Sequence, residues 1–172
     1  MSARTTRART TRSAPLIDLA IMRVFDAPRE LVWKNWTEPE LVKRWWGPKG
    51  FTAPYIKIDL RVGGEYLYCM RAPDGKDYWS KGFYREIVPP ERIVCTDSFA
   101  DDKGNTVPAT YYGFGADFPL ELLLTLAFEE QEGRTKFTLK HAGFPPGPHK
   151  DDAQVGWNQS LDKLSEILKQ SS

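Results

Sequence analysis

Residues 16–25 alternate loosely between apolar and polar in a stretch rich in β-formers, the pattern of a strand. The pattern then turns helical. Asp26 suits a helix cap and Pro28 a first turn, and Leu31, Val32 and Trp36 follow at helical spacing. A second short helix comes directly after it. Thr37 and Glu40 have the spacing of a capping box with Pro39 between them. Leu41, Val42 and Trp45 continue the helix, and Trp46-Gly47-Pro48 stops it. Beyond Phe51 the periodicity is that of strands, predicted over 55–60, 65–71, 78–88, 93–99, 120–128 and 135–141. Gly63-Gly64, Pro73-Asp74-Gly75, Pro89-Pro90 and Gln131-Glu132-Gly133 punctuate them. Residues 100–119 are long for a structureless loop, so they form a lid or carry short structure of their own. After the Pro/Gly-rich break at 144–148, Ala153, Trp157, Leu161, Leu164 and Leu168 mark one face of a long helix starting near Asp151, whose charge suits a helix N-terminus.

One strand, two short helices, six strands and a long helix argue an α+β fold, because consecutive strands pair antiparallel and the helices are segregated to the ends. The expected form is a strongly curved antiparallel sheet of about seven strands wrapped around the C-terminal helix. That helix alone is long enough to cover the concave side, and it cannot touch all of a bent sheet. Aromatic side chains must fill or line what remains.

Composition sharpens this picture. Of 172 residues, 41% are hydrophobic and 13% aromatic, with six Trp, seven Tyr and nine Phe, an excess that needs either a large core or a pocket to line. No run of about eighteen apolar residues is present, so no membrane-spanning helix and no membrane partner is expected. Two Cys and two His exclude a disulfide framework and disfavour zinc. Arg4, Arg7, Arg9 and Arg12 crowd into an acid-free N-terminal segment, read as a disordered tail over 1–14 ahead of one domain over 15–172. Without those four arginines, 20 basic residues face 23 acidic ones, so no broad basic surface for nucleic acid is expected.

Several motifs point to a family. Val24-Phe25-Asp26-Ala27-Pro28, Val32-Trp33, Trp36-Thr37-Glu38-Pro39-Glu40-Leu41 and Trp45-Trp46-Gly47-Pro48 form an opening signature. Gly63-Gly64-Glu65-Tyr66, Glu86-Ile87-Val88-Pro89-Pro90-Glu91-Arg92 and Gly156-Trp157 with Leu161 and Leu164 follow. Together, over about 16–168, they resemble the activator-of-heat-shock-protein-90-ATPase-like family of the START-like, birch-allergen-like helix-grip superfamily. The resemblance implies a sheet wrapped around a long C-terminal helix with a cavity for an apolar or aromatic small molecule. Its relatives include ligand carriers, cyclase-like enzymes, resistance proteins and a eukaryotic co-chaperone.

The candidate ligand-binding residues are Trp36, Trp45, Tyr66, Tyr68, Met70, Tyr84, Phe118, His141 and Trp157. Tyr66, Tyr68 and Met70 share one strand face, read as inward, and Trp157 lies on the inward stripe of the last helix. His141 shares the face of Phe137 and Leu139 and is either a satisfied core residue or a base. Glu86 is either a general base or, by preference, a structural partner of Arg92 or Arg71. No nucleophile elbow, phosphate loop or His-Glu-x-x-His occurs, so nothing requires an enzyme, and no cofactor or metal is implied. A cyclase or hydrolase in the same cavity would use His141 or Tyr68 with Glu86. A stress-related or co-chaperone-type protein would instead present Trp46 and the aromatic loop 111–118 to a chaperone, and that loop is also a candidate homodimer surface. Cys69 and Cys95 fall on different strands, so reduced thiols and a cytoplasmic setting are expected.

Overall fold

The computed structural model describes residues 15–171; the arginine-rich segment 1–14 lies outside them. The elements are β1 (Ile17–Phe25), α1 (Arg29–Thr37), α2 (Pro39–Val42), β2 (Thr52–Ile58), β3 (Glu65–Arg71), β4 (Asp77–Val88), β5 (Arg92–Ala100), a 3-10 turn (Ala109–Tyr112), β6 (Leu122–Gln131), β7 (Arg134–Phe144) and α3 (Pro148–Ser171). The seven strands form one curved antiparallel sheet in the order β1-β7-β6-β5-β4-β3-β2. Consecutive strands are neighbours throughout except where β1 closes onto β7, pairing Leu19 with His141 and Ile21 with Leu139.

Period-two alternation sorts the sheet. Leu19, Ile21 and Phe25 of β1, Leu122, Leu124, Leu126 and Phe128 of β6, and Phe137 and Leu139 of β7 are buried on the concave side. The C-terminal half of α3 packs there through Leu161, Leu164 and Leu168, which are almost wholly buried. Arg23 of β1 ties the helix down from the edge, donating to the Asn158 carbonyl (3.0 Å) and pairing with Asp162 (2.8 Å). Helix α1 plugs one end of the concavity, its Trp33 edge-on to Phe128 (5.3 Å) and its Trp36 stacked on Phe137 (5.4 Å).

Several local expectations change. Asp26 does not cap α1. Pro28 holds the cap position in extended backbone, and its carbonyl accepts from Leu31 (3.0 Å) and Val32 (3.2 Å), so the helix begins at Arg29. The capping box at Thr37 does not form either. Burial of Trp33 and Trp36 draws Thr37 into the last turn of α1, where its hydroxyl donates back to the Trp33 carbonyl (2.8 Å), and Glu38 becomes the cap of α2. Strand β2 starts at Thr52 and ends at Ile58, two residues short of the expected end, because Asp59 and Arg61 turn toward Gly64. Strand β7 runs past His141 to Phe144, paired with β1, and α3 begins at Pro148, so Asp151 sits in its first turn. Residues 100–119 carry the 3-10 turn as their short structure.

Candidate functional site

The two halves of α3 meet the sheet differently. Toward the C-terminus the inward stripe is Leu161, Leu164 and Leu168, and the interior is solid. Toward the N-terminus the same stripe is His149, Ala153, Gly156, Trp157 and Ser160, and here the helix stands off the sheet. A cavity of about 340 Å³ fills the space. Its walls come from the concave face of β3 to β7, from the Trp46-Gly47-Pro48 turn and from residues 114–120. This size suits a small organic molecule.

Two anchors hold the walls apart. Ser160, buried on α3, shares its one hydroxyl proton between the Trp45 (3.1 Å) and Gly47 (3.0 Å) carbonyls and pins the tryptophan turn to the helix. Gly47 takes φ +100°, and a Cβ there would fall 2.9 Å from that of Phe51, so only glycine makes this turn without strain. On the opposite side the long loop folds inward on its own rings. Phe114 stacks on Phe99 (5.3 Å), and Phe118 packs edge-on against Phe144 (5.9 Å) and His149 (5.0 Å). The Tyr112 hydroxyl accepts from the Trp79 amide (3.0 Å) and donates to the Ala100 carbonyl, stitching the loop to β4 and β5.

The lining is mostly apolar, with one polar cluster. Trp157 Nε1 donates to His141 Nδ1 (3.1 Å), which makes Nε2 the protonated nitrogen of a neutral ring. His141 Nε2 lies 2.8 Å from Asp97 Oδ2, yet the approach is too oblique for a hydrogen bond, and this buried atom has no aligned acceptor. Asp97 Oδ1 lies 3.2 Å from the Tyr66 hydroxyl, whose single proton is directed to the closer Thr96 carbonyl (2.8 Å). Burial, with the Asp97 carboxylate adding to it, holds the Tyr66 phenol well above the ordinary tyrosine range. Tyr68 is raised by burial and then by Tyr84, so both phenols of β3 are neutral donors at any physiological pH. Gly82 makes the Tyr66 position possible: a Cβ there would collide with the Thr96 carbonyl and the Tyr66 ring.

The cavity brings together five of the nine candidates, Tyr66, Met70, Phe118, His141 and Trp157. Trp36, Tyr68 and Tyr84 line instead a second, deeper chamber of about 20 Å³, which shares Trp46, Tyr66 and Leu124 with the larger one. Trp45 lines neither. It is fully buried under Trp36 (4.6 Å), its Nε1 donating to the Asn35 carbonyl (3.0 Å), so it is core. Trp46, expected as an exposed docking residue, turns inward and forms a cavity wall against Tyr68 (4.7 Å) and Trp157 (5.4 Å). Glu86 is absent from the site. A bulge between Tyr84 and Glu86 reverses the alternation of β4, sending Glu86 to the outer surface and onto Arg92 (2.7 Å), the structural pairing preferred from sequence. The pairings of Glu86 with His141 or Tyr68 are therefore excluded. Asp97, passed over in the sequence, takes the carboxylate position. Its signal was available: Ile93, Cys95 and Asp97 share one strand parity, and the first two are buried.

Comparison with known proteins agrees with this architecture. Solved structures of similar fold include a protein from Nitrosomonas europaea (27% identity, 90% of this chain and 95% of that one, TM-score 0.72). Others are a protein from Chromobacterium violaceum (27%, 88% and 96%, 0.73) and one from Arthrobacter aurescens (25%, 89% and 86%, 0.75). No curated protein matches. Residues 26–169 match the family described as "Activator of Hsp90 ATPase homolog 1-like protein", a span that runs from the start of α1 through the whole cavity wall to the end of α3. With that match over most of its length and the curved sheet closed on a long C-terminal helix, the chain belongs to the Activator of Hsp90 ATPase homolog 1-like family.

Proposed function

We propose that this protein binds an apolar, ring-bearing small molecule in the cavity between the sheet and the N-terminal half of α3. The single observation that carries the reading is the cavity itself: about 340 Å³ bounded by Trp46, Phe99, Phe118, Phe144 and Trp157, with few polar atoms. Apolar burial supplies affinity in such a site, and the Asp97–His141–Tyr66 cluster fixes orientation. Residues 114–120, closing one wall with their rings, act as the gate. Two free and buried thiols, Cys69 and Cys95, support a reducing, cytoplasmic setting. Among the described residues no helix is long and apolar enough to cross a membrane.

Three tryptophans line the cavity, Trp46, Trp79 and Trp157, and they provide the assay. A hydrophobic aromatic ligand seated against these rings quenches their emission saturably, and Ala153→Phe, which projects a ring into the same space, abolishes the quenching while the fold persists. Absence of saturable quenching across a broad ligand panel, together with no organic molecule retained in native mass spectra, refutes the proposal. A second reading, hydrolysis or ring closure in the same cavity, is supported by the carboxylate–imidazole contact between Asp97 and His141. It expects turnover of aromatic esters that disappears in His141→Gln, and turnover that survives this change counts against it.

A further inference from the structure

Every charged side chain bordering the cavity bears on what it admits. Asp97 lies at its floor and Asp152 on α3 at its rim, while among the described residues no Lys or Arg lines it. Two cations of the cavity-bearing strands β4 and β5 are committed elsewhere. Lys81 turns to the outer face, onto Glu65 (3.3 Å) and the Gly104 carbonyl (2.8 Å), and Arg92 to Glu86. Asp97 is 26% exposed and is left short of donors: one oxygen has only the distant, already directed Tyr66 hydroxyl, the other only the oblique His141 Nε2. A carboxylate beside apolar rings is costly unless its lone pairs are satisfied, and the cavity that Asp97 lines leaves room for a further partner. Rings flank that space, with Trp46, Phe118, Phe144 and Trp157 presenting faces and edges to it.

We infer that the cavity selects ring-bearing molecules that carry an amine or another cationic nitrogen, seated on Asp97, and rejects carboxylates such as fatty acids or aryl acids. The inference rests on the proposal that the cavity is a binding site, and it names the ligand class for that site. A carboxylate ligand would bring a second negative charge beside Asp97 with no Lys or Arg among the described residues to receive it, whereas an ammonium group supplies the donors that Asp97 lacks and gains the faces of the surrounding rings.

The test is isothermal titration of the full chain with three molecules of nearly equal shape: tryptamine, ethylindole and indoleacetate. Tryptamine binds most tightly, ethylindole less so and indoleacetate least, with about tenfold or more between amine and acid. In Asp97→Asn the preference for the amine collapses toward that for ethylindole. Equal or tighter binding of indoleacetate to the unaltered protein overturns the inference and leaves the cavity proposal standing, and this comparison needs no variant. An amine preference that survives in a folded Asp97→Asn protein also overturns it. Failure of all three to bind at millimolar concentration overturns the inference, while the cavity proposal stands or falls by the broad ligand panel and the native mass spectra.

Discussion

Two glycines near the cavity face the same substitution with opposite outcomes. Gly82 lies on β4 directly beneath the Tyr66 ring, and a Cβ there would overlap the Thr96 carbonyl as well as the ring. The carbonyl belongs to β5 and cannot swing away like a side chain, so the strands must part or Tyr66 must leave. Either response strains a close-packed region, at about 1–3 kcal/mol. It also removes the Tyr66 bond to Thr96, at about 1 kcal/mol more. Gly82→Ala therefore costs about 3 kcal/mol, a fall in Tm of roughly 6–12 °C for a chain of this size. Gly156 sits in the interior of α3, and a Cβ there meets only Pro48 Cγ at 3.4 Å, an ordinary contact. Its backbone is helical, so alanine gains the propensity glycine lacks, about 0.5–1 kcal/mol, and raises Tm by about 1–4 °C. Thermal and urea unfolding of the two single variants measure both numbers. A Gly82→Ala protein within about 1 kcal/mol of the parent would show that the approach of Tyr66 to β4 is soft, and the account of how the cavity floor is built would be wrong.

Other outcomes follow from the same structure. Burial raises the Tyr66, Tyr68 and Tyr84 phenols, so the folded state keeps protons that the unfolded chain gives up. Stability is then full below the ordinary tyrosine pKa of about 10 and falls as pH rises past it, by at most about 1.4 kcal/mol per pH unit for each phenol. A urea midpoint that stays level through that range excludes this coupling. Cys95 is raised by burial and Cys69 is pushed up to about 11, so neither thiol reacts appreciably with a disulfide reagent at neutral pH until the protein unfolds. Rapid labelling of both in the native state contradicts the packing. Trp157→Phe removes the donor to His141 Nδ1 and costs about 1–2 kcal/mol. The nitrogen shifts of that imidazole, which report a single Nε2-protonated form in the parent, become those of a tautomer mixture; an unchanged spectrum refutes the assignment.

Much of the fold is legible in the chain because burial writes itself as periodicity. The alternation in β1, β6 and β7 and the 3.6-residue stripe of α3 each follow from one local rule: a side chain two or four positions on lies on the same face. The inward placing of Tyr66, Tyr68 and Trp157 follows from the same rule, and five of the nine candidates line the cavity. The rule fails where backbone geometry is set by distant partners. One added residue in β4 sends Glu86 outward, and nothing in Tyr84-Arg85-Glu86 announces it, since the bulge is fixed by the pairing with β5. Thr37 has the chemistry of a cap but is drawn into α1 by the burial of two tryptophans.

Sequence alone determined the order of elements, the antiparallel sheet with its covering helix and the need for a ring-lined space, because these depend on contacts a few residues apart. Tertiary structure decided which carboxylate enters that space and that, among the described residues, no Lys or Arg accompanies it. Asp97, Leu124 and His141 lie on three successive strands, and Trp157 arrives from the helix, 60 residues beyond Asp97. Their meeting depends on sheet curvature and strand register, which arise from the packing of the whole chain and from no local run of it.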